Sequence, residues 1–341
     1  MTPRDIVKAA IHHHGPERLP VLQPQLGVCD RVGVGPTPPA GWTPAVPGQD
    51  EWGCIWHTTG MKNMGQPKGH PLETLPDDLS TTRYPDYDDE SRYVGMAERV
   101  AEARATGKYV TAGIFFVLWE RMHALRGFEN ALCDLLTDRP AAERLADHIV
   151  DVNIKYVHQV ARRFGGQIDG FTMTDDWGTQ QAAFISYELW MEIFHPRYKR
   201  LFDAMHEAGC DVWVHSCGKV NEIIEGYIAA GVDVVNLQQP RALGIEAIGE
   251  RYGGRIAFES LCDIQATLPT GDRDKIEADV EALMTHWASA DGGFLFSDYG
   301  DNAAIGVTDP ATKPFMYACF SRWSEKLYGT PLPPMTVEAT Q

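Results

Sequence analysis

From about residue 109 onward, short apolar runs alternate with longer stretches of helical period, an order that few architectures accept. Strands joined in series through helices lie parallel, and a parallel sheet needs helices packed against it. The runs predict strands at 109–118 (YVTAGIFFVL), 168–174 (IDGFTMT), 211–215 (DVWVH), 232–237 (VDVVNL), 255–259 (RIAFE) and 293–297 (GFLFS). With 19–23 near the start and one further strand between 24 and 108, the count reaches the eight that close a (β/α)8 barrel, so the expected class is an α/β TIM barrel. Helices are predicted over 140–164, 187–208, 220–230 and 272–288. Gly166, Gly209, Gly231, Gly254 and Gly293 stand where a left-handed turn ends a helix before the next strand.

That punctuation favours one barrel over residues 1–330, with 331–341 as an exposed or disordered tail. Residues 24–90 have no helical period and are rich in Pro and Gly. They read as an irregular N-terminal excursion over a barrel mouth, with a hairpin around DEWGCIW. The net charge of -17, from 30 Lys and Arg against 47 Asp and Glu, argues against a nucleic-acid partner and a polyanionic substrate. No apolar run approaches the roughly 20 residues that span a bilayer, and the N-terminal segment lacks a secretory core, so a cytoplasmic protein without a membrane role is expected. The seven cysteines form no disulfide pattern, which leaves packing or metal ligation as their roles.

In a (β/α)8 barrel the reacting groups sit at the C-terminal ends of the strands. Here those ends carry Trp119 and Glu120, Asp175 to Trp177, His215 to Gly218, Gln238 and Gln239, Glu259 to Asp263, and Asp298 to Asp301. His215 and Cys217 lie two apart, on one face of a strand, where an imidazole and a thiolate can share a metal ion, and the mixed donors suit zinc. A catalytic zinc needs about three protein ligands and an open position. Cys262 is the choice for the third, with Glu259 and Asp298 as carboxylate alternatives. Asp175 and Asp176 form an acidic pair able to hold a proton, a cationic group or an outer imidazole, and are expected to be catalytic together with Glu259. A helix N-cap is the competing role for one of them. Trp119, Trp177, Gln238 and Tyr299 are the candidate substrate contacts. Cys133, Cys210 and Cys319 read as packing, as do Cys29 and Cys54, while His12, His13 and His14 read as the solvated end of a first helix.

These strings together resemble the uroporphyrinogen decarboxylase superfamily over residues 1 to about 325. TPRDIVKAAIHHHGPERLPV is similar to its first helix and strand. DEWGCIW, GHPLETL, LRGFENALCDLLTDRP, TMTDDWGTQQAAFISYELWMEIFHPRYKRL, VWVHSCGKVNEIIEGYIAAGVDVVNLQQP and CDIQATLPTGDRDKI follow in the family's order. The decarboxylases carry an Arg-rich segment after the first strand, suited to a polycarboxylate. This chain has VLQPQLGVCDRVGVG there, with Gln23 and Gln25 and no paired Arg. The resemblance is therefore to the corrinoid-dependent zinc methyltransferases, whose His-x-Cys ligands match His215 and Cys217. The distant Cys that follows the last strand in thiol-methylating members is absent from SDYGDNAAIG. What the resemblance implies is zinc acting as a Lewis acid, a small O- or N-methyl substrate, methoxyaromatic compounds included, and a corrinoid (cobalamin) protein partner that takes the methyl group. The alternatives it leaves are a uroporphyrinogen decarboxylase-type lyase and a methyl-corrinoid:thiol methyltransferase.

Overall fold

The computed structural model describes residues 1–58, 60 and 65–336. The chain opens with helix α1 (Pro3–Ile11) and strands β1 (Val21–Gln23), β2 (Val28–Cys29) and β3 (Arg31–Val34). A hairpin of β4 (Ile55–Thr58) and β5 (Gly65–Gly69) precedes α2 (Met96–Ala105) and β6 (Tyr109–Ile114). Helices α3 (Trp119–Arg126), α4 (Phe128–Thr137) and α5 (Arg139–Phe164) lead to β7 (Gly170–Thr174), then α6 (Tyr187–Ile193) and α7 (His195–Glu207) lead to β8 (Asp211–His215). The remainder runs α8 (Ile223–Ala230), β9 (Val234–Leu237), α9 (Pro240–Leu243), α10 (Ile245–Tyr252), β10 (Ala257–Ser260), α11 (Arg273–His286), β11 (Phe294–Ser297) and α12 (Thr312–Tyr328).

One sheet in the order β2-β1-β11-β10-β9-β8-β7-β6-β3 makes a nearly closed barrel, and every neighbouring pair in it is parallel except β1 with β2. The fold is thus the expected α/β TIM barrel, with the hairpin excursion against its mouth. At the seam, Asp30 donates its N–H to the Val21 carbonyl at 2.8 Å and accepts at its own carbonyl from the Tyr109 N–H at 2.8 Å, so one residue ties β1 to β6. Its buried carboxylate takes both ends of the Arg18 guanidinium at 2.7 Å, an ion pair with its hydrogen bonds filled.

The period of two along each strand sorts residues between the barrel interior and the helical layer. On β8, Val212 and Val214 join the core under the helices, whereas Trp213 packs inside with Leu22, Tyr109, Val234, Ala257 and Leu295. Val7 and Ile11 of α1 plug the N-terminal end of that interior. All five glycines expected to end helices have positive φ, from 73° to 101°.

Three expectations need correction. The unplaced strand is β3, inside the stretch read as irregular. Its RVGV has little apolar signal because Arg31 faces a cavity rather than a core. The single helix over 187–208 is two, because Pro196 sits in the first turn of α7 and a proline cannot donate into a preceding turn. The described part of the tail is exposed at Pro331, Pro334, Met335 and Thr336 but anchored: Leu332 is buried, and Tyr317 and Ser324 donate hydroxyl hydrogen bonds to the Pro333 and Thr330 carbonyls. Residues 337–341 of the expected tail lie outside the described residues. The seven cysteines are free thiols. Among the described residues no helix is long and apolar enough to cross a membrane.

His12, at the end of α1, pairs with Asp211 at 3.0 Å, and that hydrogen bond raises the imidazole above its ordinary range. A raised folded-state value stabilises below the unfolded value, and the contribution is lost as pH rises through the folded one. Since the side chain is 38% exposed, solvent screening holds the effect to about 1 kcal/mol or less. Denaturant unfolding of His12→Gln is expected to show a loss of stability at pH 5.5 that shrinks toward zero by pH 9.

Candidate metal centre

The loops after β7 and β8 run side by side because two glycines face each other. A Cβ on Gly218, whose φ is +81°, would lie 2.3 Å from the backbone of Gly178, and one on Gly178 would lie 2.7 Å from the Lys219 nitrogen. With both side chains absent, four hydrogen bonds join the segments. Asp175 N–H donates to the His215 carbonyl at 2.9 Å, Trp177 N–H to the Ser216 hydroxyl at 3.0 Å, Cys217 N–H to Asp176 Oδ1 at 2.8 Å and Lys219 N–H to the Thr179 carbonyl at 2.8 Å. From β9's end, Gln239 Oε1 accepts from the Gly218 N–H at 2.7 Å.

This zipper sets Asp176, His215 and Cys217 together, each offering one ligand atom, with those atoms all within 4.8 Å of one another. His215 Nε2 lies 3.3 Å from Cys217 Sγ and 3.5 Å from Asp176 Oδ1. On the far side of the ring, Nδ1 lies 2.7 Å from Asn236 Oδ1. An amide oxygen only accepts, so Nδ1 carries a proton, and in the neutral ring Nε2 is then the nitrogen whose lone pair faces the thiol and carboxylate. Burial, and next the Asp176 carboxylate, push the Cys217 thiol above its usual range. A cation among these atoms would reverse that push, since a coordinating thiol is deprotonated.

Beside the trio, a cavity of about 590 Å³ opens at the barrel mouth. Its floor is Trp213, with the Arg31 guanidinium 4.9 Å over the indole, and its wall toward β9 and β10 is Asn236, Gln238 and Glu259. Arg31 Nη1 donates to Glu259 at 2.9 Å.

The expected site residues divide accordingly. His215, Cys217 and Asp176 come together, and Gln238 and Glu259 line the cavity. Tyr299 stands close enough for Cys217 and Asp176 to reinforce the upward shift that burial gives its phenol. Cys262, the expected third ligand, is fully buried in the core with Sγ 3.7 Å from the Ile276 carbonyl, so Asp176 takes its place in the group. Neither carboxylate alternative joins it, since Glu259 is held by Arg31 and Asp298 by Lys313 at 2.7 Å. Trp119 and Trp177 do not line the cavity. They stack with centroids 5.1 Å apart in the core behind it.

Asp175 serves as a cap, though not for the helix that follows it. Its buried carboxylate accepts from the Trp119 and Glu120 N–H groups at the start of α3, at 2.9 and 2.7 Å, and from the Tyr198 hydroxyl. Burial pushes its pKa up to about 7 against those hydrogen bonds. Asn236 and Arg31 escaped the sequence reading. A lone amide in the apolar run VDVVNL, two residues before Gln238 and so on its face, was the available signal for Asn236. Glu120, noted only as a strand-end residue, has its carboxyl held well above the usual range by burial and next by the Asp176 and Asp175 charges.

No curated protein matches the chain. A family described as uroporphyrinogen decarboxylase (URO-D) matches residues 60–297, more than half of its length. Among solved structures, a methyltransferase from Methanosarcina mazei is similar in fold, with a TM-score of 0.68 and 15% identity over 95% of this chain and 99% of that one. A D-psicose 3-epimerase in the presence of D-fructose reaches a TM-score of 0.40 at 12% identity, covering 68% of this chain and 83% of that one, too distant to inform the site.

Asp175→Ala strands three buried donors and is expected to cost about 3 kcal/mol in denaturant unfolding. Asp176→Ala, at a side chain 36% exposed, is expected to cost about 1 kcal/mol or less.

Proposed function

The chain belongs to the uroporphyrinogen decarboxylase family, and on that premise we propose that it is a zinc-dependent methyltransferase. Its reaction takes a methyl group from a small O- or N-methyl compound and delivers it to a corrinoid protein. We take residues 1–330 as one barrel unit in this reading. The observation that carries it is the donor set: one nitrogen, one sulfur and one carboxylate oxygen, within 4.8 Å, at the mouth of a cavity of about 590 Å³. These donors fit zinc, a site with three protein ligands leaves a fourth position for substrate, and His215 also lines the cavity.

Bound there, zinc would supply Lewis-acid stabilisation of the charge that develops on a departing oxygen or nitrogen. His215 Nε2, Cys217 Sγ and Asp176 would hold it, and Asn236 fixes the imidazole tautomer from behind, as outer partners of metal-binding histidines do. Trp213 and Gln238 line the space proposed for the substrate, with the Arg31 to Glu259 pair on its wall, and Tyr299 is the candidate contact beside Cys217. The name of the Methanosarcina mazei structure supports the class of reaction. A decarboxylase acting on a polycarboxylate is less well served. Arg31 is the one guanidinium among the residues lining this cavity, and it is already matched by Glu259.

Elemental analysis of the purified protein should find about one zinc per chain, lost in His215→Ala and Cys217→Ala and kept in Cys262→Ser. Asn236→Ala should weaken zinc affinity by about 10- to 100-fold in competition with a chelator. Zinc absent from the native protein, or retained in full by His215→Ala, contradicts the reading.

A further inference from the structure

Below the cavity the barrel interior is apolar except along one line of polar groups. Leu22, Val234, Ala257 and Leu295 fill that layer around Tyr109 and Trp213, and Val7 and Ile11 of α1 close it from beneath. Within it, the Trp213 indole N–H donates to the Tyr109 hydroxyl at 3.3 Å, and that hydroxyl donates to Asp211 Oδ2 at 2.6 Å. Asp211 Oδ1 lies 3.0 Å from Nε2 of His12, an imidazole 38% exposed at the closed end of the barrel. Asp211 opens β8 and Trp213 stands two residues along it, so the line climbs from that end to the cavity floor. There the Arg31 guanidinium lies 4.9 Å over the indole ring.

The neighbouring strand is shaped around the junction. A Cβ on Gly170 of β7 would lie 2.6 Å from the Tyr109 hydroxyl oxygen and 3.2 Å from Trp213 Nε1. Gly170 has no positive φ, so it is the approach of these two polar atoms that requires a residue without a side chain. The Tyr109 hydroxyl also lies 2.9 Å from the Asp169 carbonyl, but its single proton goes to the nearer, charged acceptor. Burial holds the Tyr109 phenol neutral, well above its usual range. Against its own burial, the His12 and Tyr109 hydrogen bonds hold the Asp211 carboxyl below the ordinary range. An anion, a hydroxyl and an indole N–H in series polarise one another. The titratable and charged groups around His12 are Asp211 on β8, Asp233 before β9 with its own partner His206 at 2.8 Å, and Lys8, His13 and His14 of its own segment.

We propose that this line makes the cavity floor respond to the protonation of His12 at the opposite end of the barrel. When the imidazole loses its proton, Asp211 draws more strongly on the Tyr109 hydroxyl, whose oxygen becomes a better acceptor for the Trp213 N–H. The indole face, enriched in electrons, then holds the Arg31 guanidinium more firmly. No proton crosses the barrel, because an indole nitrogen donates and does not accept. The hydrogen bond to Asp211 raises His12, which sets the change above the ordinary imidazole range. The inference goes beyond the zinc reading and does not depend on it, since none of the three metal donors belongs to the line.

The test is a pH series on protein labelled with 15N-tryptophan and 15N-arginine. Of nine indole resonances, that of Trp213 is the one missing from Trp213→Phe, and the Arg31 Nε–H is found by its loss in Arg31→Lys. In the native protein the Trp213 proton is expected to move downfield in one step between pH 5.5 and 9, at the midpoint shown by the His12 ring, with Arg31 shifting at the same midpoint. Both steps should vanish in His12→Gln and in Tyr109→Phe, and remain in His206→Gln, which removes the neighbouring imidazole. Either resonance staying fixed in the native protein, a step that survives His12→Gln, or a step lost in His206→Gln overturns the proposal. Should Tyr109→Phe fail to fold, the two histidine variants decide it by themselves.

Discussion

The site exists because the chain segments after β7 and β8 touch backbone to backbone. Gly178 and Gly218 approach so closely that a methyl group on either would displace the other loop. That contact brings the Cys217 N–H onto Asp176 and the Trp177 N–H onto Ser216. Without it, the carboxylate from one strand end and the imidazole and thiol from the next would face separate volumes. Backbone hydrogen bonds on rigid strand ends hold such groups more tightly than side-chain contacts on long loops can.

Behind this contact stands a buried polar chain. The Trp177 indole donates to the Tyr198 hydroxyl at 2.9 Å, Tyr198 donates to Asp175, and Asp175 caps α3. Its members are satisfied by one another, and a satisfied buried network specifies one arrangement where an apolar core would tolerate several. Trp119, stacked on Trp177, extends that backing toward the mouth. Trp119 and Trp177 therefore act by stiffening the wall on which the donors sit.

Much of the barrel was legible in the sequence because its signals are local. Apolar runs between helical stretches gave six of the parallel strands, and glycines with positive φ marked the helix ends. The His-x-Cys pair was legible from its short spacing at a strand end, although Cys217 lies in the loop just past β8 rather than on the strand face. What required the structure was non-local. β3 hides its strand character because Arg31 serves the cavity, and Asn236 reads as an ordinary strand residue until its amide meets His215 across the β8 to β9 ladder. Cys262 was favoured as a ligand for its element type and its place after a strand, yet its thiol turns toward α11 and the core. Asp176 and Asp175 are neighbours in sequence with opposite surroundings, one at the mouth and one under α3, and adjacency alone carries no sign of which is which.

One cation shared by His215, Cys217 and Asp176 is what the proposed chemistry requires. Crystals of the native protein measured on both sides of the zinc absorption edge test this most directly. The expected result is a single strong anomalous peak about 2.0–2.3 Å from the imidazole nitrogen, the thiolate and the carboxylate. A difference map with no peak there, or with its zinc peak elsewhere in the barrel, would contradict it.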